Sequence, residues 1–193
     1  MINPQDTLKL IRQRRTVKPA LFNDKVISDE TINDILESAN WAPNHGRTEP
    51  WRLNVYTGPG LSQYKETIET VWNENPEMQR PGKLEKWTSN IPYASHIIAF
   101  GMKRCESRAI PLVEEVCAVS CAAQNMMLVA TAHGVASYWS SGVAHFPTSA
   151  KAFGLDGDED CMLGFLHLGY IDSDFEPGCR KTSIDTKVTW IKS

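Results

Sequence analysis

A basic cluster after the first predicted helix could bind an anion. Arg12, Arg14, Arg15, Thr16 and Lys18 place five donors within seven residues. Guanidinium groups bind phosphate oxygens in a bidentate fashion, and a threonine hydroxyl adds a further donor. The same residues would also suit a solvated basic face that complements the negative end of a helix dipole. Spacing alone leaves both interpretations open.

Two further segments could line a ligand site. The loop 41–51, WAPNHGRTEPW, is stiffened by two prolines and presents Asn44, His45 and Arg47 between a predicted helix and a predicted strand. Binding groups commonly lie on such loops, although this composition also fits a plain connection. The segment 138–142, YWSSG, ends a predicted strand, where open sheets bind ligands, and it also fits an edge strand with a packed tryptophan.

Metal and nucleophile motifs are weak in this chain. The five cysteines lack C-x2-C pairs and are expected to be reduced, with Cys117 and Cys121 as small apolar residues of a helix. His96 and His167 lie inside apolar predicted strands, and no histidine pairs with another metal ligand at zinc-type spacing. The sequence has no G-x-S-x-G, G-x-G-x-x-G or Walker motif. A bound nucleotide would therefore be held without these loops.

Capping residues and apolar periodicity predict the elements that position these groups. The first helix begins with Asn3 as N-cap, ends near Arg15 and turns Leu8, Leu10 and Ile11 inward. Further helices are predicted after Ser28, over 61–73, 111–133 and 148–153, and strands over 51–57, 94–102, 135–141 and 161–170. This order predicts an α+β or α/β chain with four or five strands covered by helices.

Three segments suggest how the chain is organised beyond this order. The helix over 111–133 is apolar on all sides, so we expect it to cross the core or to pack against a second subunit. The polar stretch at about 75–90 contains Trp87 and is predicted to be a mobile excursion that could act as a lid. The tail at 172–193 has no helical period, and an extended arm on a partner subunit would cover its apolar residues.

Composition limits the function classes. The chain has 193 residues, 41% of them hydrophobic and 22% charged, which predicts one domain over 1–193 and argues against disorder. The net charge of −3 argues against a dedicated nucleic-acid binder. There is no run of 18 apolar residues and no apolar signal core after the N-terminus, so we expect no spanning helix and a cytoplasmic protein.

Taken in order, these segments resemble the nitroreductase family of FMN-dependent oxidoreductases. Arg14-Arg15-Thr16 is similar to the family's R-R-S/T signature, and the stretch from Ala42 to Arg52 is similar to its A-P-S/D-x…Q-P-W-R/H motif. The long helix followed by W-x-S-G, and a last strand ending in L-G-Y with a basic pair downstream, fit as well. The match covers the whole chain and is closest to the smaller members.

The resemblance implies an α+β three-layer sandwich with a central, mostly antiparallel sheet flanked by helices. It implies a homodimer with exchanged C-terminal arms and two FMN molecules at the interface. Arg14, Arg15 and Thr16 would hold the FMN phosphate together with Arg180 (or Lys181), and Lys18 could reach the polar edge of the flavin. Trp41, Asn44 and His45 would approach from the other subunit. The isoalloxazine would be lined by Trp139, Ser140, Ser141 and Gly142.

The implied reaction is a ping-pong cycle in which NADH or NADPH passes hydride to flavin N5 and a small organic acceptor, such as a nitroaromatic or a quinone, is then reduced. No protein acid or base is obligatory, and Arg47 (or Lys18) is a candidate to stabilise the reduced flavin electrostatically. Glu49 stands where glutamine is usual, Arg47 where asparagine or serine is common, and Ser140 where some members have arginine. Dehalogenation, enone reduction, flavin fragmentation and non-catalytic FMN binding are the alternatives.

Overall fold

Helices and strands alternate along the chain in the predicted order. A computed structural model describes residues 3–174 and 178–192. The α-helices are α1 (Pro4–Gln13), α2 (Asp29–Asn40), α3 (Gly60–Glu74), α4 (Lys83–Thr88), α5 (Leu112–Ala132) and α6 (Ser149–Ala152). The strands are β1 (Trp51–Thr57), β2 (His96–Met102), β3 (Ala136–Ser140) and β4 (Cys161–Gly169).

The four strands form one sheet in the order β1-β2-β4-β3, and every neighbouring pair is antiparallel. Trp51 pairs with Met102 at one end of β1, and Thr57 pairs with His96 at the other. The prediction of an α+β fold with an antiparallel sheet is confirmed.

Successive side chains of the central strands alternate between two apolar clusters, as the pleat of a strand requires. Phe100 and Leu166 pack with residues of α2 and α5 on one side of the sheet. Ile97 and Phe165 pack with residues of α3 on the other side. Because both faces are covered, β2 is buried along its whole length. The result is three layers, with the sheet between two layers of helices.

The first helix, α1, is capped as predicted but does not bury its apolar side chains. Asn3 caps α1 by accepting a hydrogen bond from the Gln5 amide at 3.0 Å, as predicted. Leu8, Leu10 and Ile11 were expected to face inward, but α1 has no buried residue, and Leu8 and Ile11 are exposed. Among the described residues of one chain, no layer covers this apolar face of α1.

The long helix α5 is a core helix of this fold. By length and hydropathy alone it could cross a membrane, but it packs in the apolar core of this fold. Its residues Ala122, Ala123 and Met126 are fully buried in the cluster against α2 and the sheet. The expectation of burial on all sides is wrong for a single chain, because Val113 and Cys117 on the outer side are exposed.

The excursion after α3 carries regular structure. Short 3-10 helices (Pro76–Met78 and Ile91–Tyr93) flank α4. The tail reaches residue 192 with one further 3-10 helix (Ile184–Lys187), and residues 175–177 and 193 of the predicted arm lie outside the described part. Trp190 and Ile191 are 78% and 88% exposed, so the described residues leave the apolar end of the tail uncovered.

Candidate active site

The basic cluster lies where the chain leaves α1 and runs beside the edge strand β3. Arg14 is the C-cap of α1 and has an extended ψ of 126°, which ends the helix. Thr16 forms a parallel bridge with Ser137, and the Val17 amide donates to the Ser137 carbonyl at 3.0 Å. The backbone of this segment is therefore fixed by the sheet, and Thr16 is exposed at its surface.

Arg180, from the far end of the chain, adds a further basic residue to this cluster. The Arg14 guanidinium has a pKa below its ordinary value, first because it is partly buried and then because the positive charges of Arg180 and Arg15 lie near it. Among residues 3–174 and 178–192, neither Arg14 nor Arg180 forms an ion pair with a carboxylate. Like charges held together without a counter-charge favour a bound anion.

The backbone around this cluster is held by local hydrogen bonds. Arg15 donates from its guanidinium to the carbonyls of Arg12 and Arg14. A side chain at Gly178 would overlap the Arg15 guanidinium, so the tail passes directly over it. Lys18 is exposed and precedes a short 3-10 helix, Pro19–Leu21. Arg15 is thus committed to shaping the segment, whereas Lys18 remains at the surface.

The loop between α2 and β1 has an unusual backbone. Gly46, Arg47 and Glu49 all have positive φ, at 66°, 54° and 44°. For Arg47 and Glu49 this is the left-handed region, which costs energy for residues with a Cβ. Asn44 stabilises the turn, because its Oδ1 accepts from the Glu49 amide at 3.2 Å and its Nδ2 donates to the Ala42 carbonyl at 3.3 Å.

The same loop is docked on the N-terminal end of α5. The Nδ1 atom of His45 lies 2.7 Å from Oε2 of Glu114. Glu114 lies in the first turn of α5, where a carboxylate is favoured by the helix dipole. A Cβ on Gly46 would lie 3.2 Å from the Ile110 side chain, so the loop backbone approaches closely. A pocket of about 340 Å³ lies beside these contacts and is lined in part by His45 and Cys117.

Sequence reasoning missed Glu114. Its only local signal is an acidic residue near the start of a helix, which ordinary helix capping already explains. Glu37, near the end of α2, was also missed, because a single acidic residue on a helix carries no local signal of its partner. It accepts from Nε1 of Trp41 at 2.9 Å and orients an indole whose residue is 79% exposed. Arg47 is also exposed.

The end of β3 combines packing with an open surface. The Trp139 indole donates to the Leu163 carbonyl at 3.2 Å and meets Phe100 edge-to-face at 5.0 Å, so much of this ring belongs to the core. Gly142 has a φ of 46°, and a Cβ there would lie 3.1 Å from the Phe165 ring. Ser140 is partly exposed and Ser141 is exposed. The strand therefore ends in a turn that requires glycine and leaves its serines accessible.

The two groups of candidate residues lie at opposite ends of α5. His45 contacts the first turn of this helix, whereas Thr16 lies beside Ser137, just after the helix ends. A 21-residue helix is about 30 Å long at 1.5 Å per residue. One chain therefore does not bring the basic cluster and the loop at 41–47 to the same small ligand.

Comparison with known proteins decides the family. Residues 11–170 match the model of the nitroreductase family. The chain belongs to the nitroreductase family. It is accordingly an oxidoreductase of the nitroreductase type.

Relatives of this nitroreductase-family chain support the assignment. YdjA of Escherichia coli strain K12, whose name gives it provisionally as an NAD(P)H nitroreductase, is 25% identical over 170 residues, which are 85% of this chain and 87% of that protein. The nitroreductase-like protein of Bacillus cereus has a solved structure that superimposes with a TM-score of 0.80 at 27% identity, covering 100% of both chains.

A third relative is similar in fold alone. The FMN-dependent nitroreductase NfnB of Mycobacterium smegmatis, solved in complex with NADPH, has a TM-score of 0.73 at 18% identity and covers 97% of this chain and 99% of its own. At this identity the likeness concerns the arrangement of helices and strands.

Proposed function

We propose that this nitroreductase-family chain is an FMN-dependent enzyme that passes hydride from NADH or NADPH to a small organic acceptor. One observation carries the proposal. Arg14 and Arg180 lie close together although about 166 residues separate them, and no described carboxylate neutralises either one. A phosphate monoester would supply the missing negative charge through charge-assisted hydrogen bonds.

The residues of the cluster suit a phosphate group. Arg14 and Arg180 would supply guanidinium donors, Thr16 an exposed hydroxyl, and Arg15 would hold the segment in shape. Partial burial lowers the pKa of Arg14, but a guanidinium keeps its proton in proteins, so Arg14 remains a cation that can bind an anion. An anion there would also relieve the repulsion between the guanidinium groups.

FMN, when bound, supplies the exchange of hydride between the reduced nicotinamide and the acceptor. The chain's own residues would bind and orient the cofactor. The turn at Ser140–Gly142 would line the ring system, and its exposed serine hydroxyls are available as donors. Arg47 or Lys18 would place a positive charge near the polar edge of the flavin, where negative charge develops on reduction.

The geometry favours a site built from two subunits. Because the basic cluster and the loop at 41–47 lie about 30 Å apart along α5, a two-fold axis that pairs α5 with its copy would bring one subunit's cluster to the other's loop. Trp41, Asn44 and His45 would then reach the flavin from the partner. The exposed residues Val113 and Cys117 of α5 would be covered by the same contact.

The tail supports the same arrangement. Trp190 and Ile191 are almost fully exposed in one chain, and burying apolar area stabilises by about 25 cal/mol per Å². We propose that the tail crosses to the partner as an extended arm, and that Leu8 and Ile11 of α1 are covered in the dimer. A single domain over 1–193 and a cytoplasmic location complete the proposal.

The relatives indicate the class of donor and acceptor. NfnB of Mycobacterium smegmatis was solved with NADPH, and a nitrobenzene nitroreductase of Ectopseudomonas oleovorans is 35% identical over 103 residues, which are 53% of this chain and 44% of that protein. We therefore propose NADPH or NADH as donor and a nitroaromatic or quinone as acceptor.

An absorbance spectrum of the purified protein tests this function. FMN bands near 370 and 450 nm that bleach when NADPH or NADH is added without oxygen, and return with a nitroaromatic, are expected. Bands that persist with both donors would indicate a non-catalytic FMN-binding protein. Absence of bands after FMN is supplied would refute the proposed function.

A further inference from the structure

The excursion at 75–90 is fastened to the turn that follows β3. Trp87 of α4 meets Phe146 edge-to-face at 6.1 Å, and Trp72 of α3 stacks on Phe146 at 6.1 Å with an interplanar angle of 25°. The two indoles meet each other edge-to-face at 5.6 Å. The three ring centroids therefore form a compact triangle, and Phe146 is only 4% exposed, so its ring is buried against the indoles of α3 and α4.

A second contact joins the same two segments. The buried Asn75 side chain donates from Nδ2 to the Val71 carbonyl and to Oγ1 of Thr148, both at 2.7 Å. Gln79 donates to the Trp72 carbonyl at 2.8 Å and returns the excursion toward the end of α3. The excursion is thus attached near both of its ends, by Asn75 to Thr148 and by Trp87 to Phe146.

The turn between these attachments and β3 is tightly wound. The Ala144 amide donates to the Ser141 carbonyl at 2.7 Å, and the Phe146 amide donates to the Val143 carbonyl at 2.9 Å. Val143 is fully buried, and Gly142 lies against the Phe165 ring. A displacement of Phe146 would therefore be transmitted through these short hydrogen-bonded turns to Ser141 and Gly142.

We propose that Trp87 is a positioning residue for the ligand-lining turn, and that the excursion acts as a brace for that turn. This inference rests on the proposed function, in which residues 140–142 line the flavin. Trp87 does not contact the ligand. It holds Phe146, and Phe146 fixes the turn against which the ring system would lie. A lid that closes over the site would instead leave its aromatic residue exposed while open.

The Trp87→Ala variant tests the brace through FMN affinity. Aromatic pairs contribute enough free energy for a two- to tenfold change in an equilibrium constant, and this variant loses two of them. We expect the Kd for FMN to rise by up to about tenfold and the visible circular dichroism of bound flavin to change. Trp87→Phe keeps one ring at this position. Its Kd for FMN is expected to lie between those of the unaltered chain and Trp87→Ala.

Two controls separate positioning from general destabilisation. Lys86 lies on the exposed side of the same helix, and Lys86→Ala is expected to change neither the Kd for FMN nor Tm. Ile68→Val trims the buried core of α3 and should lower Tm without changing the Kd for FMN. An unchanged Kd and unchanged dichroism in Trp87→Ala, with a shift only in KM for the acceptor, would overturn the brace in favour of a lid.

Hydrogen exchange gives a readout that does not need flavin. In the protein without added FMN, the amides of Ala144 and Phe146 should exchange at least several times faster in Trp87→Ala than in the unaltered chain, while amides in β2 stay protected. Equal exchange at these amides would overturn the brace whether or not the protein binds FMN. Failure of the unaltered chain to bind FMN would refute the proposed function alone.

Discussion

Acid pH should destabilise this protein through His167. The residue lies in the central strand β4, is 3% exposed, and faces the rings of Tyr64 at 6.3 Å and Tyr138 at 5.9 Å. Its Nδ1 has no hydrogen-bond partner among the described residues. Burial lowers the pKa of the imidazole from 6.5 to about 4, because the charged form loses its hydration.

The sign and size of the effect follow from proton linkage. Between pH 6.5 and 4 the unfolded chain binds a proton at His167 and the folded chain does not, so stability falls as the pH falls through this window. Each pH unit changes the free energy of unfolding by about 1.4 kcal/mol. The stability that neutral His167 contributes is fully present above pH 6.5, and about 3 kcal/mol of unfolding free energy is lost by pH 4.

The assay compares the unaltered chain with His167→Phe by urea unfolding at several pH values between 4 and 7.5. Phenylalanine keeps a ring against Tyr64 and Tyr138 but cannot titrate. The variant should gain about 3 kcal/mol relative to the unaltered chain as the pH falls to 4. His96, whose pKa burial also lowers, is present in both proteins and cancels. His145→Gln, at an exposed position, controls for the loss of a histidine. A stability difference that stays constant with pH would refute this reasoning.

Three further predictions concern the site. Arg14→Ala should weaken FMN binding by about 10- to 150-fold, because a hydrogen bond to a charged group contributes about 1.5–3 kcal/mol, and fluorescence titration checks this. Arg47→Ala should slow reduction of the flavin in stopped-flow measurements without loss of FMN, and an unchanged rate would exclude the electrostatic role. Gly164→Ala would place a Cβ in overlap with Nε1 of Trp139, so we expect a loss of about 1–3 kcal/mol in unfolding free energy with altered tryptophan fluorescence.

Local signals predicted the helix starts and the strands well. Ser28 caps α2 and accepts from the Thr31 amide, as its position before an apolar period indicates. The strand at 51–57 has the predicted bounds, although Val55 is more exposed than strict alternation implies. Such signals succeed because capping and alternation depend on residues close together in the chain.

Long-range placements could not be predicted in the same way. The approach of Arg180 to Arg14 depends on the path of the whole tail, and only the family resemblance suggested it. The positive φ of Arg47 and Glu49 has no marker in their residue types, because glycine and asparagine are the usual signals for that region. The apolar face of α1 was visible, but the sequence does not say which surface covers it.

The chain's exposed apolar residues have a common explanation in the proposed dimer. They lie on α1, on the outer side of α5 and on the tail, and they include Leu8, Val113 and Trp190. A contact surface of this kind would also complete the composite site. The dimer and the flavin site are therefore two consequences of one arrangement.

Mixing subunits tests that arrangement most directly. Arg14→Ala damages the cluster half of the site and His45→Ala damages the loop half, and each variant alone is expected to bind FMN weakly or turn over slowly. Co-expression with two different affinity tags allows the mixed dimer to be purified. If each site takes its cluster from one subunit and its loop from the other, the mixed dimer has one undamaged site, and its activity should recover to about half that of the unaltered dimer. A mixed dimer no more active than its parents would contradict the composite site.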